Sequence, residues 1–316
     1  MGDCSAQEDH RPERQYHIKG LHDGGITGCS FCPNSNMLCL TSDDRTASLV
    51  DAGTGKRLRH MKFLHDHYIS SCNFCPVLLN MPTDRKSGAE IQLLCLTSYD
   101  GKASVLNVAT GDRVRHLTGL HTDWLNDGCF SPDGLTLCLA SKDGSVSLVE
   151  TLSGKRRLHL KKLDAGSILN CRFNPNGTQL CLTSDDGTAL LVSPSDGKVK
   201  LRLSELHTGS INSCCFSPDG RTLCLGWFDG TALLVDAATG ACECWLKHLH
   251  TMVIRACCYS PDGSTLCLVS KDRTATLVDA GTGKPRSVLR GLHRDFIMNC
   301  CFSGDGTRLC LASNDR

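Results

Sequence analysis

What these 316 residues lack narrows the field first. No apolar run approaches the roughly 18 to 20 residues that a membrane-spanning helix needs. Neither sign of charge prevails: 34 Lys and Arg stand against 33 Asp and Glu, a net +1. There is thus no global field to draw nucleic acid or an anionic membrane, and neither is an expected partner. A charged start followed by an apolar stretch and a small-residue cleavage site is not found, so the expected location is intracellular, the cytoplasm or the nucleus. No Gly-rich phosphate loop, metal-ligand cluster or paired-carboxylate arrangement stands out, so no enzyme, catalytic residue, metal or cofactor is expected. Aromatic residues make up only 5% of the chain, which makes the place of each one informative.

Cysteine, by contrast, is abundant, with 22 residues. In a short secreted chain that would imply a disulfide framework, but here most cysteines follow an internal repeat. His22, His65, His121, His207, His250 and His293 mark equivalent positions 43 residues apart, with Asp164 in the same slot of the fourth unit. The second unit is 56 residues long, and its thirteen extra residues, at 77–89, read as a surface loop. Each unit has an apolar residue four after its marker and an aromatic nine after it. Then come a turn such as SPDG, an LCLxS run, an Asp, a short stretch such as TALLVD and a TG or SG turn. Four short strands per unit, separated by turn residues, describe a small sheet repeated around an axis.

Carried by these seven phased copies, the chain resembles the WD-repeat family over residues 15–316, with residues 1–14 read as a disordered polar tail. The resemblance implies an all-β, seven-bladed β-propeller of four-stranded antiparallel blades. The last blade is expected to be incomplete at the C-terminus, with residues 15–20 supplying its outer strand. An edge would then be open to strand addition by a partner or a second copy.

The resemblance also implies a structural hydrogen-bond network in each blade. Here it would comprise His22, Ser42 and Asp44; His65, Ser98 and Asp100; His121, Ser141 and Asp143; His207 and Asp229; His250, Ser270 and Asp272. Trp227 stands where unit five should have Ser. The family's Trp is missing throughout, its slot holding Val50, Leu106, Val149, Val192, Val235 and Val278. A lost ring of that size forfeits roughly 1–3 kcal/mol per blade unless neighbours refill the space. Leu before each His and Leu two before each second-strand Ser are the expected fillers. His, Ser and Asp together also suggest a hydrolase, but parallel copies without a strained nucleophile turn argue for a structural role.

The periodic cysteines are expected to pack as small buried hydrophobes. A hairpin through SPDG sets Cys129 opposite Cys138, Cys215 opposite Cys224, Cys258 opposite Cys267 and Cys301 opposite Cys310. Cys29 and Cys32 have zinc-knuckle spacing, yet residues three apart on a strand point to opposite faces.

The expected function is a non-catalytic scaffold for protein or peptide partners. A ubiquitin-ligase substrate receptor is the alternative of similar kind, and a thiol-dependent enzyme the alternative of another class. In propellers of this resemblance, slots three and five after the marker and the slot before the turn Asp share the ligand face. These slots collect Tyr68, Tyr99, Trp124, Phe228 and Phe296 together with Lys142, Arg255 and Lys271. Rings beside cations imply a partner with acidic or phosphorylated groups next to an apolar anchor.

Overall fold

Alternating small and apolar residues in the LCLxS and TALLVD runs suit strands that are covered on both faces, and those runs become the two central strands of each sheet. The computed structural model describes residues 16–80, 90–161 and 163–316. In unit one, Ile26–Phe31, Met37–Ser42, Ala47–Asp51 and Arg57–Met61 form an antiparallel sheet in sequence order. Five more four-stranded sheets follow, beginning with Ile69–Phe74, Leu125–Phe130, Ile168–Phe173, Ile211–Phe216 and Ile254–Tyr259. The described residues contain no helix.

The blades number six, not seven. Unit seven is a two-stranded hairpin of Ile297–Phe302 and Leu309–Ser313, and its second strand has no further partner among the described residues. Residues 16–20 do not supply an outer strand, because unit seven presents no third strand for them to pair with. Ile18 and Leu21 instead pack on the apolar cluster between unit seven and unit one.

First strands touch first strands around the axis, and Ile297–Phe302 lies between those of units six and one, so the hairpin closes the ring. Arg308 Nη1 donates to Asn36 Oδ1 at 2.6 Å across this seam. Gly25 is needed there: a Cβ would lie 2.9 Å from Asn314 Oδ1 and 3.1 Å from its Cα.

The insertion in unit two is more than a loop. Leu79–Asn80 pairs with Glu90–Ile91, and Leu79 is buried on the core of units two and three. Residues 81–89 lie outside the described part.

Val50, Leu106, Val149, Val192, Val235 and Val278 are all fully buried. Burial of a Val or Leu recovers roughly 1.5–3 kcal/mol each, and the remaining space is filled from two sides. Leu21, Leu64, Leu120, Leu206 and Leu249 pack on the inter-blade clusters, as expected. From the outer strands come rings at one repeat slot, five residues before the next marker. His60 faces His22 at 5.7 Å, His116 faces His65 at 6.3 Å, His159 faces His121 at 5.7 Å, and Trp245 faces His207 at 5.6 Å.

Candidate functional site: the mouth of the ring

Two repeated backbone devices build one end of the ring. The first is a β-bulge near the start of every first strand, where the register slips at Ile26/Gly28, Ile69/Ser71, Leu125/Asp127, Ile168/Asn170, Ile211/Ser213, Ile254/Ala256 and Ile297/Asn299. Bulges re-aim the extra residue, which here is the fifth after each marker. Thr27 Oγ1 donates to the Ile69 carbonyl at 2.6 Å, Ser70 Oγ to Leu125 at 2.7 Å and Asn126 Nδ2 to Ile168 at 2.8 Å, stitching unit to unit along the inner rim. The second device is a backbone bond from the slot before the turn Asp to the slot three after the marker. It appears as Tyr99 N–H to Tyr68 O at 3.0 Å, Lys142 to Trp124 at 2.9 Å, Phe228 to Ser210 at 3.0 Å and Lys271 to Val253 at 3.2 Å. The same bond joins Asp43 to Gly25, Asp185 to Ser167 and Asn314 to Phe296.

The network residues support this frame. The Asp44, Asp100, Asp143 and Asp272 carboxylates meet His22, His65, His121 and His250 at 3.1–3.3 Å. Each also accepts the N–H of the residue after its histidine. In unit five it is Nε2 of His207 that meets Asp229, at 2.7 Å. Burial pushes the Asp44, Asp100, Asp143 and Asp272 carboxyls up. Hydrogen bonds and the neighbouring histidine outweigh it and hold all four below the ordinary range.

The serines play a part different from that of a triad. Ser42, Ser98, Ser141 and Ser270 each accept the N–H of their turn Asp. Ser98, Ser141 and Ser270 donate to the carbonyls of His67, Trp124 and Met252, in the loops that line the mouth. The hydroxyls that meet histidine are Thr46, Ser145 and Thr274, two residues beyond the Asp.

On this frame Tyr68, Tyr99 and Trp124 come together. Tyr99 stacks on Trp124 with centroids 4.6 Å apart and planes 16° from parallel, and Tyr68 lies 6.4 Å from Tyr99. His67, which no repeat position marks, completes the group with its ring 4.6 Å from Tyr68 and 6.2 Å from Trp124. Lys142 holds its Nζ 4.0 Å from the Trp124 ring centre and 3.9 Å from Asp123. Tyr68 is 46% exposed and Trp124 39%, unusual for rings of this size. Lys271 sits 5.3 Å from the Phe296 ring as a second, separate pair, while Phe228, 63% exposed, makes no ring contact among the described residues.

Arg255 occupies the bulge slot of unit six, where Thr27, Ser70 and Asn126 make their rim bonds. Its Nε is buried without a partner, and it joins none of the ion pairs among the described residues. Burial pulls its guanidinium below the usual range, and the group that opposes this is Tyr99, from the far side of the ring. Burial and Arg255 likewise lower Lys271. The mouth therefore holds two unneutralised cations opposite a cluster of rings.

A blade of this register is also what the sequence comparison finds. The family model described as WD domain, G-beta repeat matches residues 14–51 and 197–236. Over those stretches the chain is similar to the WD-repeat family, and the four-stranded antiparallel blades agree with that likeness. The matched stretches fall in units one, four and five; units two, three and six share their four-stranded frame, and unit seven shares only its first two strands. No curated protein matches the chain. A WD-repeat propeller is in general a protein-interaction scaffold.

Proposed function

We propose that this WD-repeat protein is a non-catalytic interaction scaffold that holds a protein or peptide at the mouth of the ring, with an apolar anchor on the Tyr99 and Trp124 rings and an acidic or phosphorylated group at Arg255 and Lys271. The observation that carries the reading is Arg255, a half-buried cation whose Nε is buried without a partner and which pairs with no carboxylate among the described residues. A charge left unpaired in such a place costs stability, and an incoming anion removes that cost on binding. The exposed rings supply the large, rigid area that interface anchors favour. The His–Asp pairs fit no nucleophile in this reading; they tie the loops that present the face.

The test is fluorescence anisotropy against a set of peptides carrying one aromatic or aliphatic anchor beside Asp, Glu or phosphoserine, paired with charge-neutral versions. Acidic members are expected to bind wild type and to lose roughly 1–3 kcal/mol with the Tyr99→Ala, Trp124→Ala double variant. Undiminished binding by that variant removes this face from consideration.

A further inference from the structure

Four times around the ring, three cysteine sulfurs meet at the junction of neighbouring units. The groups are Cys129, Cys138 and Cys171; Cys215, Cys224 and Cys257; Cys258, Cys267 and Cys300; and Cys301, Cys310 and Cys29, the last across the seam. Two sulfurs of each group face one another in one unit's first hairpin, and the third comes from the first strand of the next unit. All three lie within 4.8 Å of one another, and the inter-unit pairs Cys129–Cys171, Cys258–Cys300 and Cys301–Cys29 are 3.6, 3.4 and 3.5 Å apart. Cys32 belongs to none of the groups. Two further junctions are incomplete versions of the same arrangement: Cys39 and Cys72 have Ser30 in the third place, and Cys181 and Cys214 have Arg172.

Packing alone accounts for small buried residues, but not for why the sulfurs converge in threes. The ligand that such a site accepts follows from coordination and charge. Structural zinc takes four donors, and among the described residues no fourth His, Cys, Asp or Glu joins any group. Soft thiolates do bind copper(I), yet three thiolates around one positive charge leave two negative charges in an apolar interior, and zinc leaves one. A trivalent centre leaves none. We propose that the four groups are three-thiol sites for a trivalent thiophilic centre of the arsenic(III) class.

Arsenous acid is small and uncharged, and the step balances without an oxidant. Three As–O bonds break and three As–S bonds form. Each thiol proton leaves with a hydroxide as water, and arsenic stays trivalent.

Half-buried Cys258, Cys301 and Cys310 give two of the groups a side open toward solvent.

Native mass spectrometry of the full reduced chain with sodium arsenite, together with a free-thiol count, tests the assignment. Up to four arsenic atoms are expected, each removing three thiols. Cys171→Ser should lower the number by one. Ser30→Cys should raise it by one, by completing the group of Cys39 and Cys72 without touching an existing site. Two thiols lost per arsenic, uptake only by the unfolded chain, or a number unmoved by Ser30→Cys would overturn the proposal. So would zinc(II) or copper(I) that survives dialysis and blocks arsenite.

Discussion

The indole of Trp124 lies nearly parallel to the phenol of Tyr99, 4.6 Å away, although the two rings come from different units. The stack is exposed on one side and capped by Lys142. Trp124→Ala should therefore leave the thermal midpoint within a few degrees of wild type while weakening capture of an acidic, anchor-bearing peptide by roughly 1–3 kcal/mol. Melting curves beside binding curves check this. A large fall in melting temperature would identify the stack as part of the fold.

Arg255 predicts the opposite pairing of effects. Because its Nε is buried and it pairs with no anion among the described residues, Arg255→Met should raise the melting temperature. It should also lower affinity for acidic peptides by roughly 1.5–3 kcal/mol and flatten their salt dependence. Stability and binding that fell together would contradict the role given to this residue.

Five histidines, buried to different degrees, make stability depend on pH with a definite sign. Burial lowers His22 and His121, and also His60, His116 and His159, below the ordinary value of 6.5. Below that value the unfolded chain binds more protons than the folded one. The stabilisation is thus fully present above about pH 6.5 and is lost as pH falls through the depressed folded values. Melting temperatures measured from about pH 8 to about pH 5.5 should decline, and His121→Gln should shrink the decline. A flat profile would contradict the assignment.

At Cys138, which is wholly buried, Ala should cost about 1 kcal/mol, and Asp considerably more by burying an unpaired charge. Chemical denaturation of the three proteins measures the difference.

The repeat made much of this legible. Strand positions and the Cys129–Cys138 type of pairing follow from period and register, which are local properties, and the Asp44–His22 type of bond is what the family resemblance implies. What escaped depends on neighbours in space. Third cysteines such as Cys171 join from the next blade, 42 residues beyond Cys129, and the rings that help to fill the place of the family's Trp come from an outer-strand slot, five before the next marker, that holds His60, His116, His159 and Trp245 but also Arg202 and Val288. His67 was hidden because its slot varies from unit to unit. The bulge left no residue signature at all, so the sequence could not show why Thr27 and Arg255, equivalent in the repeat, differ so sharply in what they bond.

The backbone bond that ties Tyr99 to Tyr68 and Lys142 to Trp124 recurs in all seven units with quite different side chains, among them Gly25 with Asp43 and Val253 with Lys271. The frame is indifferent to what it displays. Each unit is in effect one station of a circular keyboard, and its pair of residues can be exchanged with another unit's pair while the scaffold beneath stays the same. Moving the Tyr68 and Tyr99 pair to the slots of Ser210 and Phe228 would rotate the apolar anchor around the mouth relative to Arg255. The spacing between anchor and acidic group that a partner must match would change with it, so specificity here can be rewritten one station at a time.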